Sequence, residues 1–294
     1  MFNLNKRRNQ WFLLFLLSFI WGASFILIKK SLRTFDMYEV ASLRILIAFL
    51  VLFPFGFTRY KYLKKKHIVP LIEVAFIGNA IPMYLLTYSQ QYIDSALAGI
   101  LNSITPIFAF LIAVFFFKHK INWLKILGLI IGTGGTAGLL LSKGIESFTI
   151  NSLYLSAIIL ATIMYAINVN IVKEFLKDLD GFTLTIFTFI ILGPFVVLDL
   201  FQRDFFSTLP TINAYNDLIY IFILAIFSSV IAVIGINYLI SYSSAVFASS
   251  VTYIIPIFAI LWGIYDNEKI TIGQIFWMVV IISGTYLLNK TKLE

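Results

Sequence analysis

Arg44 stands about seven residues inside an apolar run over 37–57, roughly 10 Å deep at the helical rise. An ionised side chain at that depth costs about 2.5–3.5 kcal/mol on insertion scales, so it must answer a need. Two chemistries fit it: a counter-charge for a substrate carboxylate, or a structural arginine donating to backbone carbonyls of a neighbouring helix. Glu39 lies five residues earlier, off the spacing at which helical side chains pair. Glu73, near one end of an apolar run over 68–90, would exchange protons if buried, or snorkel toward Lys64, Lys65 or Lys66. Asp94 either caps the helix that follows, sharing the task with Ser95, or joins Glu39 and Glu73 as a group for proton coupling.

Uncharged polar residues in apolar runs say more about a cavity. In the first half these are Asn79, Tyr84, Tyr88, Asn102 and Thr105; in the second, Tyr165, Asn168, Asn237, Tyr238, Thr252 and Tyr253. An asparagine facing lipid is costly, so these side chains should point into a bundle, where they bond helices together or line a solvated path. With Trp21 and Ser24 they would suit a small amphipathic solute with an apolar or aromatic body.

Catalytic chemistry finds little to use. There is no cysteine, and the two histidines, His67 and His119, lie at the ends of apolar runs. No metal-ligand spacing occurs, nor a nucleophile with a base in reach on a helix face, and the GxxxxGK[ST] phosphate loop is absent. A membrane-embedded enzyme and a channel or structural membrane protein are the alternatives to a carrier, and no cofactor or metal is expected. The net charge of +8 reads as basic loops against a membrane, with no nucleic acid implied.

The elements that position these residues follow from composition. With 60% of residues apolar and mean hydropathy +0.94, the chain has more apolar surface than a soluble domain can bury, so its partner is the lipid bilayer. Ten apolar runs of spanning length occur, at 11–28, 37–57, 68–90, 95–117, 121–142, 151–171, 181–201, 217–240, 245–265 and 270–288. Their continuous apolarity predicts helices rather than alternating barrel strands, hence an all-α polytopic protein. Lys6, Arg7 and Arg8 precede the first run and Lys29, Lys30 and Arg33 follow it, the pattern of an uncleaved signal anchor. With both termini in the cytoplasm, fifteen basic residues fall inside and six outside, which favours N-in and C-in within the cell (inner or plasma) membrane.

The chain also repeats. Trp21-Gly22-Ala23-Ser24, Lys29 and Asp36 align without a gap on Tyr165-Ala166-Ile167-Asn168, Lys173 and Asp180. Tyr84-Leu85-Leu86-Thr87-Tyr88-Ser89 returns as Tyr238-Leu239-Ile240-Ser241-Tyr242-Ser243, and Pro106-Ile107-Phe108-Ala109 as Pro256-Ile257-Phe258-Ala259. Two units emerge, residues 1–145 and 146–294, with five spans each. An odd number of spans inserts the second unit upside down, the inverted-repeat plan of secondary transporters, with a site at the midplane between the units. On that plan Tyr84 and Tyr88 form a gate at the outer mouth and Tyr238 and Tyr242 one at the inner, while Pro82, Pro106 and Pro256 are hinges. Gly128, Gly132, Gly135 and Gly138 make a face for close helix contact, within a monomer or across a homodimer.

The run Trp21-Gly22-Ala23-Ser24-Phe25 with Lys29, then Arg44-Ile45-Leu46-Ile47-Ala48, then Pro106 with Phe108, resembles the EamA-like branch of the drug/metabolite transporter superfamily over nearly the whole chain. The resemblance implies a ten-helix carrier with a central cavity, commonly an exporter of amino acids or other small metabolites. Where that family often has a glutamate at the end of the fourth span, the second unit has Glu268 and the first has His119.

Overall fold

The computed structural model describes residues 4–93, 95–142, 152–203, 212–265 and 271–290, and among these the chain is helical with no strand. In order the helices are α1 (Arg7–Ser31), α2 (Met37–Arg59), α3 (Lys65–Gln90), α4 (Ser95–Asn102), α5 (Thr105–Phe115), α6 (Trp123–Leu141), α7 (Ser152–Phe175), α8 (Gly181–Gln202), α9 (Tyr215–Tyr242), α10 (Ala245–Ser249), α11 (Val251–Tyr265) and α12 (Ile272–Lys290). Six of them, α1, α2, α3, α7, α8 and α9, are long and apolar enough to cross a membrane. In hydrocarbon a backbone must satisfy its own polar groups, and a helix does so within one segment.

Side chains set the starts of α2 and α8. Asp36 accepts from the backbone N–H groups of Tyr38 and Glu39, both at 2.7 Å, and Glu39 returns the bond by accepting from Asp36 N at 2.8 Å, a complete capping box for α2. Asp180 caps α8 in the same way, accepting from Phe182 N at 3.1 Å and Thr183 N at 3.0 Å.

The apolar runs 95–117 and 245–265 each read as one helix, and the structure divides both. Pro106 lies in the first turn of α5 and has no N–H to continue the ladder from α4. The carbonyl freed at Asn102 accepts instead from Thr105 Oγ1 at 2.6 Å. Between α10 and α11, Ser249 and Ser250 donate to the carbonyls of Val246 and Phe247 at 2.9 and 2.6 Å. Two long helices also widen into π turns, α3 at Phe76–Ala80 and α9 at Leu224–Ile231. Pro82 follows directly on the first and accounts for it, because the proline cannot donate back one turn.

Packing joins distant parts of the chain. α2 lies along α8, α6 along α12, α1 against α9 and α11, and α7 against α3 and α5. The main core draws on most of these helices, with Leu14, Ile45, Leu184, Ile186 and Phe247 fully or almost fully buried.

One polar joint fastens the loops at one end. His67 is only 1% exposed; its Nδ1 accepts from Lys64 N at 3.1 Å, which leaves the proton on Nε2, donating to Asp178 at 3.1 Å. Lys66 Nζ lies 2.6 Å from the same carboxylate and, with His67, holds its pKa down at about 2. Replacing Asp178 by alanine strands the buried imidazole N–H, and thermal unfolding of the variant should show a loss of about 1–3 kcal/mol near neutral pH. A depressed carboxyl pKa adds stability above its unfolded value, so in the wild type this contribution should fade between about pH 4 and about pH 2.

Candidate functional site

A cavity of about 120 Å³ lies where the helix irregularities converge. α1 supplies Trp21 and Ser24, α2 Arg44, α3 Gly78 and Asn79, and the α4–α5 break Asn102 and Thr105. From the other half come Tyr165 and Asn168 of α7, Ser228 and Asn237 of α9, and Ser249 and Thr252 at the α10–α11 break. Phe25, Ile28, Met83, Leu86, Val233, Ile236 and Ile255 make the apolar wall. Irregular backbone is tolerated at membrane depth where it lines a cavity, and here both breaks and both π turns contribute lining residues.

Most polar atoms of the lining are committed to the bundle. Trp21 Nε1 donates to the carbonyl of Ser228 at 3.2 Å, within the π turn of α9. Asn79 Nδ2 donates to Val74 O at 2.9 Å, Asn237 Nδ2 to Thr185 Oγ1 at 3.0 Å, and Ser24 Oγ to Ile20 O at 2.9 Å. Two of the lining residues have fully buried side-chain atoms that are not so occupied. Arg44, 5% exposed, makes only long bonds from Nη2 to the hydroxyls of Ser228 and Ser229, at 3.3 and 3.4 Å, and its buried Nε has no partner. Asn168 Oδ1 is likewise buried without a donor. A buried polar group left unpaired is costly and uncommon, so an unpaired donor and an unpaired acceptor on two residues that line one cavity single that cavity out as a candidate ligand site.

Of the twelve residues expected at a cavity, Trp21, Ser24, Arg44, Asn79, Asn102, Tyr165, Asn168 and Asn237 line this one. The structure places the other four elsewhere. Tyr84 is bonded to Ser42 Oγ at 2.6 Å and lies 3.5 Å from Asp199 Oδ2; Tyr238 donates to Asp180 Oδ1 at 3.3 Å. Tyr88 packs with Tyr92 and Tyr154, whose rings stack 4.1 Å apart. Tyr253 is fully buried against α6, its hydroxyl 3.0 Å from Thr133 Oγ1. Pro106 stands at one helix break and Pro256 within α11, six residues past the other. Glu39 is taken up by its capping box, and Glu73 is partly exposed near the start of α3. Asp94 and Glu268 lie outside the described residues, while His119 pairs with Glu174 at 2.9 Å.

Asp199 had no place in the expectations and turns out to be central at one end of α8. It accepts from Ser42 Oγ at 2.5 Å and from Arg203 Nε at 3.0 Å. Its signal in the sequence is an acid inside an apolar run, four residues before an arginine. Arg203 also lies 3.9 Å from Asp36 and over the ring of Tyr38. The opposite end of the α2–α8 pair has the same build: Arg59 is 3.4 Å from Asp180 and over the ring of Phe182. Asp36, Tyr38 and Arg59 fall on Asp180, Phe182 and Arg203 at the offset of the sequence repeat.

The described residues form a bundle of apolar helices around a cavity with an apolar wall and polar side chains from both halves, and the family to which the chain belongs makes it a multi-pass membrane protein of the transporter class. The chain belongs to the EamA-like transporter family, whose model matches it twice, over residues 10–141 and 152–290. It is similar to an uncharacterized transporter of Archaeoglobus fulgidus, 25% identical over 97% of this chain and 100% of that one. It is also 26% identical to the uncharacterized inner membrane transporter YedA of Escherichia coli, over 93% of this chain and 90% of that one. A crystal structure with 14% identity superposes with a TM-score of 0.74 over 96% of each chain, a likeness of fold.

Proposed function

We propose that the protein is a secondary transporter of small organic metabolites, amino acids among them, working by alternating access around the cavity between two inverted five-helix repeats. The observation that carries this is the cavity itself, which draws polar lining from both halves at helix breaks and is lined by Arg44 and Asn168, each with an unpaired hydrogen-bonding atom. The helix pairing supports the inverted plan. Exchanging the two halves turns α1 against α9 and α11 into α7 against α3 and α5, and turns α2 against α8 and α6 against α12 into themselves. On this plan α4–α5 and α10–α11 each count as one broken span, giving ten, with both termini cytoplasmic in the cell membrane. Export is the direction the family resemblance suggests, and the chain works as a monomer or homodimer.

The test is counterflow in proteoliposomes. Proteoliposomes preloaded with members of a metabolite panel should show saturable uptake of at least one member, and Asn168→Ala should reduce that uptake about tenfold. Folded protein that moves no member of a broad panel would refute the carrier. Flux with and without a proton gradient decides whether protons are coupled; Glu39, Glu73 and Asp94 are the groups to replace if they are.

A further inference from the structure

Arg44 is the one charged group among the described residues lining the cavity, and nothing acidic faces it there. No carboxylate lies within 4 Å of its guanidinium among the described residues, its two hydroxyl contacts are at the long end of hydrogen bonding, and Nε is unpaired. A permanently charged side chain has thus been placed, nearly fully buried, with its balancing charge left out. Structural arginines in apolar surroundings are paired with an acid or with carbonyl oxygens. This one is held by two serine hydroxyls of α9, which orient the guanidinium without neutralising it.

We infer that the transported species is a monoanion, an organic monocarboxylate with an apolar or aromatic body, and that the protein is an obligate exchanger of such anions. The inference rests on the carrier reading above and deepens it. When the cavity closes on both sides, water can no longer screen Arg44, and an isolated buried cation is the most costly arrangement available to it. A bound carboxylate removes that cost by accepting from the guanidinium. The loaded cavity is then neutral and can pass through the closed state, whereas the empty one carries a bare charge and is held back. A zwitterion would leave one charge in excess, because the lining has no acid for its ammonium group, so the anion is preferred over the amino acid of the same body. One monoanion leaving for each one entering makes exchange electroneutral.

Two matched pairs of solutes separate charge from shape: phenylpyruvate with phenylalanine, and 4-methyl-2-oxopentanoate with leucine. Full-length protein in liposomes, preloaded with an oxo acid, should take up that labelled oxo acid at least about 100-fold faster than empty liposomes do. The amino acid partners should exchange far more slowly, and an imposed membrane potential should leave oxo-acid exchange unchanged. Arg44→Gln should bring exchange and net uptake to within about threefold of each other, and Arg44→Lys should keep them apart. Should the glutamine variant not fold, thermal stabilisation of the wild type by the oxo acid over its amino acid partner reads the same preference. Equal rates into empty and loaded liposomes, preference for the amino acid, or transport of other solutes with neither oxo acid carried would overturn the inference while leaving the carrier standing. Absence of all transport would remove the carrier reading itself.

Discussion

Replacing Gly284 with leucine is expected to lower the thermal midpoint of the purified protein by about 6 °C or more, the mark of at least about 3 kcal/mol of lost stability. A Cβ built on Gly284 would lie 2.4 Å from Gly132 N and 2.8 Å from Gly128 O. Both are backbone atoms of α6, so no rotamer change relieves the overlap and the two helices must part. Without a hydrophobic drive between helices in lipid, association depends on such close packing, and separating α6 from α12 forfeits it along the whole contact. Gly132 is itself occupied, since its missing side chain leaves room for the ring of Tyr253. Gly134→Leu is the internal control. It is on the same helix, exposed, with nothing within 4 Å of its Cβ position, and its midpoint should stay within about 1 °C of the wild type. Thermal unfolding in one detergent distinguishes them; equal midpoints for the two variants would show that the α6–α12 contact is not what the glycines serve.

Gly78→Leu should leave the fold in place and reduce transport by about 100-fold or more. Here the Cβ would meet Asn168 Oδ1 at 2.2 Å and Asn168 Cγ at 2.4 Å, atoms of a side chain that can swing aside. Swinging aside moves the unpaired acceptor of a lining residue, and the rest of the leucine fills space that a solute would occupy. The expected pattern is near-normal yield and midpoint with lost counterflow, the reverse of Gly284→Leu. A Gly78→Leu protein with wild-type flux would place the solute path away from the cavity.

How much of this was legible depends on what each signal measures. Hydropathy registers lipid-facing surface, and it located α2, α3 and α8 to within a few residues because their ends coincide with polar caps such as Asp36 and Asp180. It could not register the breaks at 103–104 and at Ser250, since Ser and Thr hydroxyls bonded back to their own helix let the apolar runs continue unmarked. The polar residues within apolar runs, Arg44, Asn79, Asn102, Asn168 and Asn237, were found by their cost in lipid and do meet at one cavity. Tyrosine is ambiguous on the same test, because one end of it tolerates apolar surroundings. Hence Tyr165 faces the cavity while Tyr84, Tyr88, Tyr238 and Tyr253 serve in bonds and ring packing elsewhere. Gly78 and Ser228 escaped notice for a different reason: what they contribute is room and a carbonyl, and neither has a polarity that composition can reveal.

The antiparallel α2–α8 pair carries an arginine, an aromatic ring and a capping carboxylate at each end, and both ends are engaged at once. From Tyr38 to Arg59 the helical rise spans about 32 Å, close to the roughly 30 Å of hydrocarbon in a bilayer. A strut of that length would set its two charged ends at the headgroup levels. A bilayer several ångströms thinner would expose its apolar middle, and a thicker one would draw the charged ends below the surface. On that geometry the thickness of the host membrane becomes a working parameter of the protein.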